Sequence, residues 1–478
     1  MTETPMPTVT RTRPTPVAFQ ASMPRARARV APRAPWLAYI ILWALCAALG
    51  PYDLNNRADR EDVVIGDPAV LKAEAVTSGE TIATGDIGRR VAVITLGLFA
   101  SWLLWRARRR GTITGVVARP LVGAERWLAA AVIGYILVVT ASIGWADDPG
   151  LAARRIVVFL VLSLTAYTLA RVWSLVDFLR FVALGCASVL IASVAVEIVH
   201  HAFQPLAADY RLSGLTHANI HAVEAAVLIL SALALARMEP ERRRRYWTLA
   251  GIGLVMLLLT RSRTSVAGVV AGLAAVPLLT MSRRRLLVVL LAGSVAALLV
   301  GVFLPDLLAD PRGFLLLGRT AATADVGTMT GRTDIWRALL VYIAERPVLG
   351  YGFGSFWTPE RMEAVSLELG WLVPHAHSTY VETQLELGAV GLACFVSAIV
   401  LGIGIAARGV LRTMRTGLSL ESAFAFTVLV WLTVSMFAEV MLPMTEYGSL
   451  VAMVLLAWMA TGGSGVLAIG PAARRSFG

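Results

Sequence analysis

The stretch FLRFVALGCASVLIASVAVEIV at 178–199 decides the fold class. Its two charged residues, Arg180 and Glu197, sit near its ends, and the residues between them are apolar or small. As an α-helix it would run about 33 Å at about 1.5 Å per residue, enough to cross the roughly 30 Å hydrocarbon core of a bilayer. The apolar residues are continuous rather than alternating, which argues against a transmembrane β-barrel strand. Similar runs lie near 36–50, 91–105, 127–145, 156–172, 218–236, 246–260, 265–281, 286–304, 388–407, 423–441 and 448–466. The expected fold is therefore an all-α polytopic membrane protein with about 12 transmembrane helices.

Composition agrees. The 478 residues are 57% hydrophobic and 15% charged, against about 25% charged in an ordinary soluble domain. A single-anchor, secreted or disordered protein is excluded on that ground. The net charge of +12 would raise the question of nucleic acid in a soluble protein. Here the basic residues fall in short clusters between apolar runs, the pattern of topology signals, so no nucleic-acid partner is expected. Lys72 is the single lysine; genomic base composition explains the excess of arginine, and phosphate recognition by the guanidinium fork applies at most to a few sites. Cys46, Cys186 and Cys394 all lie in apolar runs, where they behave as small hydrophobes. Their spacing suggests neither a disulfide nor a metal site.

Residues 1–35, with TRTRPTP and PRARARVAPR, read as a disordered basic tail. With that tail in the cytoplasm, RARRR at 106–110, RMEPERRRR at 237–245, SRRR at 282–285, RGVLRTMR at 408–415 and the tail 467–478 also fall inside. Each alternate loop then obeys the positive-inside bias, and both termini are cytoplasmic. The membrane domain covers 36–466. Two long outer loops remain, 51–90 and 305–387. The second carries DIWRALLVYIAER at 334–346, where Trp336, Leu339, Leu340 and Ile343 share a helical face. That predicts an amphipathic helix at the membrane interface or over a cavity, with plain packing against the spans as the alternative. GYGFGSFW at 350–357 is a glycine and aromatic turn that could let a chain or sugar approach closely.

All six histidines, His200, His201, His217, His221, His375 and His377, map to the outer side, as do Arg211, Arg261 and Arg263. Interfacial loops tolerate both residue types, but their gathering also suggests a site. Arg211 opens RLSGLTHANIHA, and Arg261 and Arg263 sit in LLLTRSRTSVAG between two spans. Arginine at the membrane boundary needs a carboxylate or an anionic ligand. Arg263 is expected to begin a helix after Ser262, where anions are favoured. A structural ion pair and a lipid-linked diphosphate both satisfy these arginines. In PHAHSTYVETQLELGAVG at 374–391, Pro374 stiffens the approach to a helix starting near His377 or Ser378. Ser378, Glu382 and Glu386 then share one face. A histidine at such a helix start can be neutral near pH 7 and accept a proton. His375 is its rival. No HExxH, DxD, P-loop or GxSxG pattern occurs, so neither a metal nor a cofactor is expected.

These residues resemble a known family. HSTYVETQLELGAVG fits the pattern His-[Asn/Ser/Gln], nine residues, Gly, two residues, [Gly/Thr/Tyr] of the bacterial O-antigen ligase and polysaccharide polymerase superfamily, with its WaaL, Wzy and ExoQ types. GRTDIW followed by ERPVLGYGFGSFW at 331–357 is similar to the segment before that histidine. RLSGLTHAN resembles the family's Arg-x-x-Gly segment, and SRT at 262–264 its second arginine motif. The motifs run in order over 211–391, and the wording is closest to ExoQ-like exopolysaccharide polymerases. The resemblance implies a GT-C-like membrane glycosyltransferase in the bacterial inner membrane, acting at the periplasmic face by metal-independent inverting transfer. Its donor would be an undecaprenyl-diphosphate-linked glycan, and its acceptor a lipid-linked repeat unit or lipid A core. Membrane lipids, a flippase and a chain-length regulator are the implied partners. His377, Arg211 and Arg263 would be catalytic. Arg211, Arg263, Arg261, His375, Arg332 of GRTDIW and Glu382 would hold the lipid diphosphate and glycan. Arg261 and His375 are additions to the family pattern, and either could share a role. O-antigen ligase is the alternative to polymerase. A transporter or flippase is a different class, and Glu197 and Glu224 are the few intramembrane residues that would serve it.

Overall fold

The apolar runs form helices wherever the chain is described. The computed structural model describes residues 36–50, 52, 87–110, 123–207, 210–288, 331–414, 417, 419–441 and 447–462. The helices are α1 Trp36–Leu49, α2 Ile87–Arg109, α3 Ala124–Ala141, α4 Pro149–Val172, α5 Leu175–Val199, α6 Ala218–Met238, α7 Arg243–Leu259, α8 Arg263–Thr280, α9 Arg332–Glu345, α10 Pro359–Leu369, α11 Thr379–Thr413, α12 Leu420–Ser435 and α13 Tyr447–Ala460. Seven helices are long and apolar enough to cross a membrane, and α1, α12 and α13 are shorter apolar helices. Among the described residues there is no strand. The protein is an all-α, multi-pass membrane protein. The tails 1–35 and 467–478, the expected span 286–304 beyond 288, and most of loops 51–90 and 305–387 up to 330 lie outside the described residues.

Local chemistry sets the helix starts. Asp148 accepts a hydrogen bond from Leu151 N–H, with Pro149 as the first helical residue of α4. Ser174, Thr358, Ser378 and Ser419 cap α5, α10, α11 and α12 in the same way. Packing then selects the centre. α6 is the most buried span, and Ala222, Ala225, Ala226 and Ala232 are sealed within it. Small side chains let the neighbouring α5, α7, α8 and α12 approach closely, which matters where lipid offers no hydrophobic drive. Trp431 of α12, fully buried, fills the space beside α8.

Three expectations need correction. The helix expected at 334–346 is α9, and its buried face is Ile335, Ala338 and Leu339; Leu340 is 59% exposed. The face is set by the cluster it packs on, Tyr351, Phe356, Trp357, Met362, Val365 and Val373, one of two small clusters separate from the main core. The span expected at 423–441 ends at Ser435, and 436–441 turns back to hydrogen-bond Thr379. The span expected at 388–407 is part of a 35-residue helix broken at Gly388, with φ 61° and ψ −166°. There Ala389 N–H and Val390 N–H donate to the carbonyls of Pro347 and Val348, so two strands of chain are pressed together. The GYGFGSFW turn is likewise approached closely by the protein itself. Gly350, Gly352 and Gly354 have positive φ and lie against Glu386, Ala146 and Arg155.

Candidate functional site: an arginine cavity at four helix starts

Four helices begin around one cavity of about 210 Å³. His217 precedes α6 and its Nδ1 accepts from Asn219 N–H at 3.2 Å. Ser262 precedes α8, which starts at Arg263 as expected from the sequence. Gly331, in the left-handed conformation, precedes α9, which starts at Arg332. His377 and Ser378 precede α11. His217, Asn219, Ser262, Arg263, Thr264, Arg332 and His377 all line the cavity, together with Arg211, Arg261 and Trp371. Helix starts carry partial positive charge and outward backbone N–H groups. Four guanidiniums add to that field, and no acidic side chain is among the described residues of the lining. The charged side chains of the described lining are thus all basic.

Three of the four arginines are seen held by different parts of the chain. Arg211 donates through Nε to Thr260 O at 3.0 Å and through Nη2 to Asn219 Oδ1 at 2.7 Å. Arg261 donates to Ala207 O at 2.9 Å, from a backbone with φ of 49°. Arg332 donates to Glu439 Oε1 at 2.6 Å. His377, with φ of 50°, is the other cavity residue in the left-handed region. Such a backbone costs on the order of 1–3 kcal/mol for a residue with a Cβ and persists where surrounding structure imposes it.

That surrounding structure is visible. Ala376, just before His377, is pinned on both sides: its N–H donates to Glu382 Oε2 at 2.8 Å, and its carbonyl accepts from Trp336 Nε1 at 2.9 Å. Glu382 Oε1 accepts from Trp357 Nε1 at 2.7 Å. Glu382 therefore does not line the cavity; both its oxygens hold protein donors. His375 also stands behind the cavity wall. Its Nδ1 accepts from His377 N–H at 3.3 Å, and its ring lies 4.1 Å from that of His377. Nδ1 of His377 is buried without a hydrogen-bond partner. Burial, with the neighbouring titratable His375 and His217 and the charge of Arg332, holds the His377 imidazole well below its ordinary range. Burial with Arg332 and Arg155 pushes His375 down to about 4. Both rings are neutral at neutral pH.

Five expected residues, Arg211, Arg261, Arg263, Arg332 and His377, meet at the cavity, whereas His375 and Glu382 support it from behind. Of the other histidines, His217 also lines the cavity, whereas His200 and His201 follow α5 and His221 is sealed inside α6. The reading from sequence missed Asn219, Trp371 and Glu439 as parts of the site. Glu439 had a signal, since a carboxylate inside an apolar run calls for a partner. Glu197 and Glu224, which a transporter would use, are fully buried and hydrogen-bonded to protein groups. Among the described residues, no group of three His, Cys, Asp or Glu side chains is placed to hold a metal ion.

Fold and cavity define a multi-pass membrane protein with an arginine-lined cavity at four helix starts, and two comparisons with known proteins bear on its family. Residues 248–396, which include Arg261, Arg263, Arg332 and His377, match the O-antigen ligase family. The chain is also 25% identical over 276 residues to the exopolysaccharide production protein ExoQ of Rhizobium meliloti (strain 1021), a match covering 55% of this chain and 61% of that protein. Both findings support the O-antigen ligase and polysaccharide polymerase superfamily.

Proposed function

We propose that this protein is a membrane glycosyltransferase that polymerises undecaprenyl-diphosphate-linked glycan, an ExoQ-like exopolysaccharide polymerase. It would work at the periplasmic face of a bacterial inner membrane, without a metal and with inversion at the anomeric carbon. One observation carries the reading: four guanidiniums and four helix starts surround a cavity that also holds an imidazole with an unpartnered Nδ1. At about 210 Å³ the cavity suits a headgroup rather than a whole glycan, since sites for drug-sized ligands run to roughly 300–1,000 Å³.

In the proposed step, an acceptor hydroxyl oxygen attacks the anomeric carbon of the donor. The bond from that carbon to the diphosphate oxygen breaks, and its electron pair leaves with undecaprenyl diphosphate. Arg211 and Arg263, with Arg261 and Arg332, stabilise the departing charge. The hydroxyl proton passes to His377 and then to water. A buried neutral imidazole is a weak base in the empty cavity. A bound diphosphate would supply the negative charge that favours imidazolium, so proton acceptance becomes strong only when the donor is in place.

The test is the purified protein with a lipid-linked oligosaccharide. The expected result is release of undecaprenyl diphosphate, growth of the chain on a second lipid-linked repeat, and no loss with EDTA. Arg211→Ala or Arg263→Ala should lower the rate by roughly 100–1,000-fold, the effect of removing one preorganised contact. A strict magnesium requirement would overturn the arginine clamp. The family match, by its name, also favours a second reading, O-antigen ligase; transfer to lipid A core but not to a lipid-linked repeat would select it. Movement of the substrate between vesicle compartments without glycan transfer would select the transporter.

A further inference from the structure

Beneath the cavity wall lies a second, sealed polar cluster that the proposed chemistry does not use. Ser193 and Glu197 of α5 and His221 and Glu224 of α6 are each no more than 1% exposed. Ser193 Oγ lies 2.8 Å from His221 Nε2, and His221 Nδ1 lies 2.9 Å from Glu224 Oε2. The spacing is that of a hydrolytic triad, but the serine is sealed and its oxygen already accepts from Leu215 N–H at 3.3 Å. Buried at 0% exposure, it has no access to a substrate. A hydrogen-bond count that leaves no proton unused has Ser193 donating to Nε2 and the Nδ1–H of His221 donating to Glu224. The tyrosine hydroxyl of Tyr52 donates to the other Glu224 oxygen.

The cluster grips one segment. Glu197 Oε1 accepts from Ser213 N–H at 2.8 Å, and its Oε2 accepts from the Tyr210 hydroxyl. Gly214 lies so close to the Ser193 carbonyl that a Cβ there would collide with it. On its other side the segment donates from Leu212 N–H to Leu259 O at 2.9 Å. Residues 210–215 are thus fixed along both edges, and Arg211 projects from this segment to the cavity.

We propose that Glu197, Ser193 and His221 are positioning residues that hold the 210–215 segment, and through it the Arg211 guanidinium, in register with the diphosphate. This rests on the reading of Arg211 as a donor-binding residue. A flexible Arg211 would lose conformational freedom on binding; a segment already clamped has little left to lose.

The experiment has two arms. In the first, hydrogen exchange of the Ser213 and Leu215 amides is followed in the full-length protein in detergent, without ligand. Glu197→Ala should speed exchange at Ser213, Ser193→Ala should speed it at Leu215, and Glu197→Gln, which keeps an acceptor oxygen, should restore most of the protection. In the second, affinity for undecaprenyl diphosphate is measured. Glu197→Ala should weaken it about tenfold, as Arg211→Ala does, and add nothing in an Arg211→Ala background, because both changes act through one contact. Unchanged exchange in both variants overturns the clamp. Faster exchange with unchanged affinity, or losses that add in the double variant, overturns the link to Arg211. Wild-type protein that does not bind undecaprenyl diphosphate overturns the functional reading instead, and the exchange arm still decides the clamp.

Discussion

Arg332 and Glu439 are 107 residues apart in the chain, yet Nη2 of one donates to Oε1 of the other at 2.6 Å. The pair ties the start of α9 to the turn after α12, and the backbone carbonyl of Glu439 holds the start of α11 by accepting from Thr379 N–H and Oγ1. Both side chains are largely withdrawn from solvent. Glu439→Ala removes one partner and leaves the guanidinium among three other arginines. The expected loss of stability is about 3–5 kcal/mol, the usual cost of orphaning one member of a buried pair. Thermal unfolding in detergent measures it, and Arg332→Ala combined with Glu439→Ala should recover part of the loss.

The two neighbouring histidines should separate in kinetics. His377→Ala should lower transfer by roughly 100–10,000-fold, the range for losing a proton-transfer group. His375 reaches the site only through its neighbour, accepting from His377 N–H. His375→Asn, which keeps an acceptor, should lose much less. A dead His375 variant beside an active His377→Ala would exchange their roles. Rates with a fixed lipid-linked substrate decide it.

Stability should depend on pH with a definite sign. The folded imidazoles of His375 and His377 titrate below the ordinary 6.5 because burial disfavours their charged forms, His375 at about 4. Below about 6.5 the unfolded chain therefore binds more protons than the folded one, and acid favours unfolding. The contribution is complete above 6.5 and is lost progressively as the pH falls to about 4. Burial raises Glu439 to about 7, which acts with the opposite sign, so melting temperatures taken between pH 8 and pH 4.5 read the histidine share as the acid-side decline that the two imidazoles add. Replacing both histidines by Asn should flatten that decline.

Gly388 offers a test of the fold that does not touch the cavity. Its φ of 61° is unfavourable for a residue with a Cβ, and a Cβ there would strike the Val348 carbonyl. Gly388→Ala should be strongly destabilising, whereas Gly404→Ala, which meets nothing within 4 Å, should be neutral or slightly favourable. Comparing the two melting temperatures checks the assignment.

Much of this was legible in the sequence because membrane spans declare themselves by length and apolarity alone. The helix starts at Arg263 and after Ser378 were also readable, from Ser262 and from the Pro374 approach. What stayed hidden depends on long-range packing. Periodicity assigned Leu340 to the buried face of α9, but the partner cluster around Phe356 and Met362 selected Ile335 and Leu339 instead. Glu439 was absorbed into an apolar run, although helix α12 stops at Ser435 and frees the carboxylate to turn toward Arg332. Glu382 was correctly placed on the face of α11 but not recognised as a support for Ala376, since nothing local specifies Trp357 as its other donor.

On the proposed function, the left-handed backbone at Arg261 and His377 sets heat tolerance against activity. Glycine would relieve the local conformation at either position, yet it would delete a guanidinium or the imidazole from the cavity. A laboratory population evolved for thermal survival alone would drift toward glycine at 261 and 377 and lose its chemistry on the way. Retention of the larger side chains under such selection would mean that their contacts outweigh the torsional penalty.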